Sequence, residues 1–180
     1  MYKDNDFAIV IPMANEENEF KPFINELKNV LDRLESGTVY FIVDKVSKDK
    51  TLELCNERSQ KDARFKTIWA PENKNVVDAY IRGYREALLN NHDIIIEMDA
   101  GLSHDPRAIP MFLRTLNEGK ECAFGSRFIN GGSIWQSTWY RWFFSKSGTL
   151  LSNILLFCYY VAFVTSLTER YSLPSPSLLS

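Results

Sequence analysis

The sequence predicts an α/β fold in which a mostly parallel β-sheet carries helices on both faces. Short apolar runs at residues 7–11, 39–43 and 94–98 have the length and composition of strands that are buried on both sides. Amphipathic helical patterns separate these runs, with charged residues on the other face of each helix. Strands that alternate with helices at this spacing favour right-handed crossover connections and therefore a doubly wound sheet.

The predicted elements follow one another with short connections. In chain order they are strand 7–11, helix 20–34, strand 39–43, helix 51–61, strand 65–69, helix 76–90, strand 94–98, helix 106–117 and a short strand at 122–124. The apolar pattern of the first helix ends before Ser36 and Gly37. The last helix is expected to begin with Asp105 as its cap and Pro106 at its first position.

The charge and the cysteine content exclude several classes of protein. Twenty-one basic and twenty-three acidic residues give a net charge of −2, so the chain has no excess of positive charge with which to bind nucleic acid. The three cysteines show no Cys-x-x-Cys spacing, which argues against a disulfide framework and against a zinc site. The N-terminus is too polar for a secretory signal, so we expect a protein of the cytoplasm.

Polar residues follow three of the predicted strands, at the positions where an open parallel sheet binds its ligands. They form the segments 12–17, 44–49 and 99–106, each of which contains at least one carboxylate. None of the three is glycine-rich, and neither G-x-G-x-x-G nor G-x-x-x-x-G-K-[ST] occurs in the sequence. A diphosphate bound here would lack the usual cradle of backbone N–H groups, so we expect a divalent cation held by carboxylates to neutralise it.

The polar segments also resemble the signature motifs of family 2 glycosyltransferases. Residues 9–18, I-V-I-P-M-A-N-E-E-N, are similar to the V-I-P-x-x-N-E-E-x-N opening, and residues 43–51 are similar to the V-D-D-x-S-x-D-x-T loop. Residues 98–106, M-D-A-G-L-S-H-D-P, resemble the D-A-D-L-S-H-D-P metal loop of the dolichyl-phosphate mannose synthase branch, and residues 125–133 resemble its G-S-R-x-x-x-G-G-S segment. The motifs occur in the family's order, and the resemblance covers about residues 7–155.

The resemblance implies a GT-A fold that binds a nucleotide-diphosphate sugar. Asp99 is implied as the ligand of Mg²⁺ or Mn²⁺ and, together with Arg127, as a catalytic residue. A guanidinium such as that of Arg127 forms paired hydrogen bonds with phosphate oxygens, which suits this role. The residues implied in binding the nucleotide sugar are Pro12, Asn15, Glu16, Asp44, Ser47, Asp99, Ala100, Ser103, Arg127 and Arg141.

The same resemblance implies an inverting transfer of the sugar to a polyprenyl phosphate or another membrane-associated acceptor. A phosphate acceptor is anionic at neutral pH, so it attacks the anomeric carbon without giving up a proton and requires no general base. Catalysis would then depend on in-line placement of the reactants and on stabilisation of the departing nucleoside diphosphate.

The sequence departs from the family pattern at two places that concern catalysis. Gly101 stands where the metal loop usually has a second Asp, and no D-x-T-S-G-F-R segment follows Asn153. Two other functions therefore stay open beside the transferase. One is a catalytically impaired or truncated relative that binds nucleotide sugar or a partner protein without turnover. The other is a membrane-anchored structural protein with a vestigial fold.

The sequence changes character after about residue 125. Trp135, Trp139 and Trp142 share one helical face, which is typical both of a protein core and of a helix at the level of the lipid headgroups. The apolar run 154–164 is short for a membrane span. We expect a nucleotide-sugar-binding domain at 1–130, an aromatic and apolar helical segment beside the membrane at 131–170 and a disordered tail at 171–180. The protein would then lie at the inner face of the membrane as a peripheral protein.

Overall fold

The computed structural model describes residues 6–34, 36–101 and 104–125. The chain divides into two units, residues 1–118 and 119–180, and every helix and strand of the described residues belongs to the first unit. The predictions for Ser103, Arg127, Arg141 and the segments 131–170 and 171–180 lie outside the described residues. Within the described part of the chain, no helix combines the length and the apolar composition needed to cross a bilayer.

Four parallel strands and four α-helices alternate along the described chain. The strands are β1 (Phe7–Met13), β2 (Thr38–Val43), β3 (Phe65–Trp69) and β4 (Ile94–Glu97). The helices are α1 (Glu17–Leu31), α2 (Thr51–Lys61), α3 (Val76–Leu89) and α4 (Ile109–Asn117), and a 3₁₀ turn at Pro106–Ala108 precedes α4. The strands pair in the order β3-β2-β1-β4, which confirms the predicted parallel α/β sheet.

Both faces of the sheet are covered at β1. On one face, Ile9 and Ile11 belong to a core that includes Phe23 and Leu27 of α1. On the other face, Val10 belongs to a second core with the small residues of α3. Because successive side chains of a strand point to opposite faces, burial of both faces requires apolar residues at nearly every position of β1. Packing on both faces therefore fixes the position of β1, and with it the position of the loop that follows the strand.

Helix α3 contacts the sheet at close range because of Gly83. A Cβ atom at this position would lie 2.1 Å from Cγ1 of Val10. Ala79 and Ala87, about one turn away on either side, are also small and are buried against the sheet. This row of small residues lets the backbone of α3 lie close to β1. The distance between helix and strand in turn sets the positions of the larger side chains of α3 relative to the sheet.

The structure corrects the bounds and the burial of several predicted elements. Helix α1 begins at Glu17 and ends at Leu31, where the N–H of Leu34 bonds to the carbonyl of Leu31 and closes a turn. Strand β4 is less buried than predicted, because it forms the edge of the sheet among the described residues. The predicted strand at 122–124 is wrong. Cys122 and Phe124 are both exposed there, so this short run has no buried face.

Candidate functional site

The carboxyl ends of β1, β2 and β4 lie side by side, because these strands are parallel neighbours in the sheet. The chain leaves the three strands at Met13, Val43 and Glu97 and then enters the polar segments identified in the sequence. Ligands of open α/β sheets bind outside these strand ends. The topology therefore brings the three polar segments to the end of the sheet at which its parallel strands finish. This end is the edge referred to below.

Asn15 joins the loop after β1 to the loop after β2. Its side-chain amide donates to the carbonyl of Val46 at 3.3 Å, and its Oδ1 accepts the backbone N–H of Lys48 at 2.9 Å. Its own backbone N–H donates to Oγ of Ser47 at 3.2 Å. Asn15 has a φ of 59°, a left-handed conformation that Asn adopts more readily than most residues. Asn15 was predicted to contact the ligand. In the structure its hydrogen bonds hold the two loops together.

Asp49 caps the first turns of two helices, neither of which has a capping side chain of its own. Its carboxylate accepts the backbone N–H of Glu17 at the start of α1, at 2.9 Å, and that of Thr51 at the start of α2, at 3.0 Å. Desolvation by burial raises the pKa of Asp49, but hydrogen bonds from Thr51, Glu17 and Ser47 outweigh it and lower the pKa to about 2. The ionised carboxylate therefore stabilises two helix starts beside the site.

The side chain of Glu16 does not cap α1 and lies instead beside Gly101. A Cβ atom at Gly101 would be 3.1 Å from Oε2 of Glu16. Desolvation by burial is the largest cause that raises the pKa of the Glu16 carboxyl, followed by the charges of Asp49, Glu19 and Asp99. Each of these neighbours is a carboxylate, so the surroundings of Glu16 favour the approach of a cation.

Asp99 lies two residues beyond β4, and its side chain is 52% exposed, so a ligand in solvent can reach it. The hydroxyl of Tyr80 donates to Oδ1 of Asp99 at 2.7 Å. The backbone N–H of Asp99 donates to Nδ1 of His104 at 3.1 Å, and Nε2 of the same ring lies 3.7 Å from Oδ2 of Asp99. Asp99 also acts electrostatically on Glu16, so the two carboxylates share one region of this edge.

The other described residues of the predicted set lie in the same loops. Asp44 is buried, and one of its carboxylate oxygens accepts a backbone N–H two residues further on at 2.8 Å. The hydroxyl of Ser47 accepts the backbone N–H of Asn15 in the loop after β1 and donates to Oδ1 of Asp49 in its own loop. Pro12 is half-buried near the end of β1, and Ala100 is buried. These four residues therefore shape the edge, whereas the carboxylates of Asp99 and Glu16 are more exposed than the buried carboxylate of Asp44.

Two contributors to this edge, Tyr80 and Asp49, are absent from the predicted set of site residues, although Asp49 belongs to the segment that resembles the V-D-D-x-S-x-D-x-T loop. Tyr80 lies three residues before Gly83, on the side of α3 that faces the sheet, and this spacing is the signal that points to it. For Asp49 the signal is the lack of a capping side chain at the starts of α1 and α2. Such a helix start requires an acceptor from elsewhere in the chain.

The carboxylates of Asp99 and Glu16 are the candidate ligands of a divalent cation in this part of the chain. No group of three or more His, Cys, Asp and Glu side chains forms a metal site within residues 6–34, 36–101 and 104–125. Carboxylate oxygens are hard ligands that suit Mg²⁺ and Mn²⁺. Proteins commonly bind Mg²⁺ through one or two carboxylates together with substrate phosphates and water. The donor set therefore fits a cation that a diphosphate helps to bind.

The fold and the site together define a domain of the GT-A class of nucleotide-diphospho-sugar transferases. Its features are a parallel α/β sheet, carboxylates at adjacent strand ends and loops without a glycine-rich phosphate cradle. The sequence matches the profile of "Glycosyl transferase family 2" over residues 8–169. The chain belongs to this family.

Several curated proteins are similar to most of this chain. It is 32% identical to "Dolichol-phosphate mannosyltransferase" of Pyrococcus furiosus over 83% of this chain and 41% of the relative. It is 26% identical to "Polyprenol monophosphomannose synthase" of Mycolicibacterium smegmatis, over 82% of this chain and 55% of the relative. It is 28% identical to "Undecaprenyl-phosphate mannosyltransferase" of Micrococcus luteus, over 82% and 58%. The chain therefore spans about half the length of the curated relatives it matches.

Proposed function

We propose that this chain binds a nucleotide-diphosphate sugar and that the protein transfers the sugar, with inversion, to a polyprenyl phosphate. The observation that carries the proposal is the position of Glu16, Asp44 and Asp99 after three adjacent strands of a family 2 sheet. The names of three relatives describe mannosyl transfer to dolichol, polyprenol or undecaprenyl phosphate. A nucleotide-diphosphate mannose is therefore the first donor to test.

Asp99 and Glu16 would hold the divalent cation, Mg²⁺ or Mn²⁺. Gly101 offers no side-chain ligand, and Oε2 of Glu16 lies 3.1 Å from the point where a Cβ atom at that position would stand. Glu16 thereby supplies a second carboxylate at the place where the family motif usually has its second Asp. When bound, the cation would neutralise charge on the diphosphate and stabilise it as a leaving group.

The residues of the chain would mainly position the reactants. The oxygen of the acceptor phosphate forms a bond to the anomeric carbon of the sugar, and the bond from that carbon to the diphosphate breaks. The bonding pair leaves with the nucleoside diphosphate, and the configuration at the carbon is inverted. Because the acceptor is already an anion, the step needs no general base, and alignment and charge stabilisation account for the acceleration.

A second candidate function is binding of nucleotide sugar without turnover. Gly101 favours this candidate because it removes one possible metal ligand. Among the described residues, Asp99 and Glu16 then supply just two carboxylates to the cation, and no group of three or more possible ligands is present. This candidate predicts tight, metal-dependent binding of donor and no release of nucleoside diphosphate when the acceptor is added.

We further propose that the protein acts as a peripheral protein at the cytoplasmic face of a membrane. A polyprenyl phosphate is a lipid, so its phosphate is available only at a membrane surface. The expected contact is the aromatic segment with Trp135, Trp139 and Trp142, because tryptophan rings favour the level of the lipid headgroups.

The test is a release assay with GDP-mannose, UDP-glucose and UDP-N-acetylglucosamine, each with vesicles that contain polyprenyl phosphate. We expect one donor to yield equal amounts of nucleoside diphosphate and glycosyl phospholipid, with Mn²⁺ and not with EDTA. Asp99→Asn should lower the rate by roughly 100-fold, as expected when a group that acts on the leaving diphosphate is lost. Asp93→Asn, before β4 and so at the opposite edge, is the matched control and should keep full activity.

The outcomes separate the candidate functions. Binding of donor without release of nucleoside diphosphate would contradict the transferase and support the binding module. If no donor or nucleoside diphosphate binds with any metal, both are wrong, and the structural role is favoured.

A further inference from the structure

Tyr80 of α3 contacts the carboxylate that the proposed function needs most. Its hydroxyl donates to Oδ1 of Asp99 at 2.7 Å, across the boundary between a helix and the loop after β4. A phenol is neutral at physiological pH, and burial, followed by the hydrogen bond and the charge of Asp99, raises the pKa of Tyr80 further. The bond therefore orients Asp99 without neutralising its charge.

The position of Tyr80 is determined by the fold and does not depend on a ligand. Asn75 caps α3 by accepting the N–H of Asp78 at 3.0 Å, which fixes where the helix begins. Gly83, less than one turn after Tyr80, brings α3 into contact with Val10 of the central strand. Tyr80 therefore lies on a helix that packs directly on β1, and this packing restricts the positions that its phenol can take.

The bond from Tyr80 leaves the other oxygen of Asp99 in a defined place. Oδ2 lies on the side of His104, with Nε2 of that ring 3.7 Å away. Nδ1 of His104 accepts the backbone N–H of Asp99 at 3.1 Å, so the backbone and one carboxylate oxygen are both held. The side chain of Asp99 is still half exposed, and its Oδ1 accepts the hydroxyl of Tyr80, which leaves Oδ2 for a ligand.

We propose that Tyr80 is a positioning residue that holds Asp99 so that Oδ2 faces the divalent cation and the diphosphate. The inference rests on the proposed function, because it concerns the same site. Tyr80 would not touch the donor or the cation; it would act only through Asp99. A carboxylate that is fixed before binding loses less conformational freedom when the ligand arrives.

Hydrogen-bonding partners of metal ligands typically change metal affinity by about 10-fold to 100-fold when they are removed. Asp99 keeps its contacts with His104. We therefore expect Tyr80→Phe to weaken binding of Mn²⁺ by about 10-fold.

Tyr84 offers a matched control on the same helix. Its ring lies next to that of Tyr80, with 6.3 Å between the centroids, and its hydroxyl makes no hydrogen bond within the part of the chain that the structure describes. Tyr80→Phe and Tyr84→Phe each remove one phenolic oxygen from α3. Only the first of these oxygens contacts Asp99.

The experiment is a titration of the whole chain with Mn²⁺ at a fixed concentration of GDP, followed by the electron paramagnetic resonance signal of free Mn²⁺. We expect Tyr84→Phe to bind within twofold of the parent, Tyr80→Phe about 10-fold more weakly and Asp99→Asn more weakly still. Tyr80→Phe should also alter the spectrum of bound Mn²⁺, which a loss of stability alone would not do. Thermal melts without ligand check that all variants are folded.

The possible failures are distinguishable. If the parent binds Mn²⁺ neither with GDP nor, in the same titration, with UDP, the proposed function is wrong and the role of Tyr80 falls with it. If the parent binds Mn²⁺ with either nucleotide, and Tyr80→Phe matches Tyr84→Phe in affinity and spectrum, the proposed function stands and the positioning role alone is overturned.

Discussion

The Oε2 atom of Glu16 lies 3.1 Å from the point where a Cβ atom of residue 101 would stand. Gly101 has a φ of 74°, so it also makes a turn that other residues adopt only with strain. The absence of a side chain at Gly101 therefore serves the turn after β4 and leaves room for the carboxylate of Glu16 near Asp99.

Gly101→Ala should disturb both functions of this glycine. We expect a loss of stability of about 1–2 kcal/mol from the positive φ, and weaker binding of GDP with Mn²⁺ because the new Cβ displaces the Glu16 carboxylate. Gly119→Ala is the control, because Gly119 also has a positive φ but a Cβ there meets nothing within 4 Å. Calorimetric titrations showing equal affinity for the two variants would contradict the account of Glu16.

Asn15 should matter through its backbone as well as its side chain. Asn15→Gly and Asn15→Ala both lose the side-chain bonds to Val46 and Lys48, but only glycine keeps the φ of 59° without strain. The alanine variant should therefore be less stable than the glycine variant by about 1 kcal/mol. Urea unfolding of the two proteins measures this difference. The reverse order of stability would show that the left-handed backbone at Asn15 is not a constraint.

Gly83→Ala should destabilise the protein even though alanine is the better helix former. The gain in helix propensity is about 1 kcal/mol, whereas a Cβ 2.1 Å from Cγ1 of Val10 forces the helix from the sheet at a cost of about 1–3 kcal/mol. Adding Val10→Ala removes the atom that is struck, so the double variant should be more stable than the sum of the two single changes predicts. Simple additivity of the unfolding free energies would contradict the close packing of α3 on β1.

Asp49 should contribute stability that depends on pH. Its folded pKa of about 2 is below the ordinary value of an aspartate, so the unfolded chain binds the proton more tightly than the folded one. The contribution is complete above about pH 5 and is lost as the pH falls toward about 2. The stability difference between the parent and Asp49→Asn, about 1–3 kcal/mol at pH 6, should therefore shrink at pH 2.5. Urea unfolding at the two pH values measures it, and a constant difference would count against the two caps.

The sheet could be predicted from the sequence because burial on both faces leaves a local trace. β1 and β2 are apolar at almost every position, which marks them as central strands without any knowledge of their partners. The same reasoning overstated the burial of β4, since an apolar run looks alike in the middle and at the edge of a sheet. It also predicted a strand at 122–124, where a run this short did not form one.

The site could be predicted as a set of loops but not as a set of contacts. The strand-end rule and the family motifs pointed to Asn15, Glu16, Asp44, Ser47 and Asp99. The bonds from Asn15 to the second loop join residues more than thirty positions apart, and no local pattern encodes such a pairing. The contact of Tyr80 could not be predicted for the same reason, because its partner Asp99 lies nineteen residues away, beyond another element.

The central claim is that the edge formed by the loops after β1, β2 and β4 binds the nucleotide and the cation. The most direct test is to follow the backbone amide signals of the isotopically labelled chain by nuclear magnetic resonance while GDP and Mg²⁺ are added. We predict that the signals of residues 13–17, 44–49 and 99–101 shift together, whereas those of Asp6 and His92 at the opposite edge do not. Shifts that cluster at the opposite edge, or no shifts at saturating nucleotide and metal, would contradict the account.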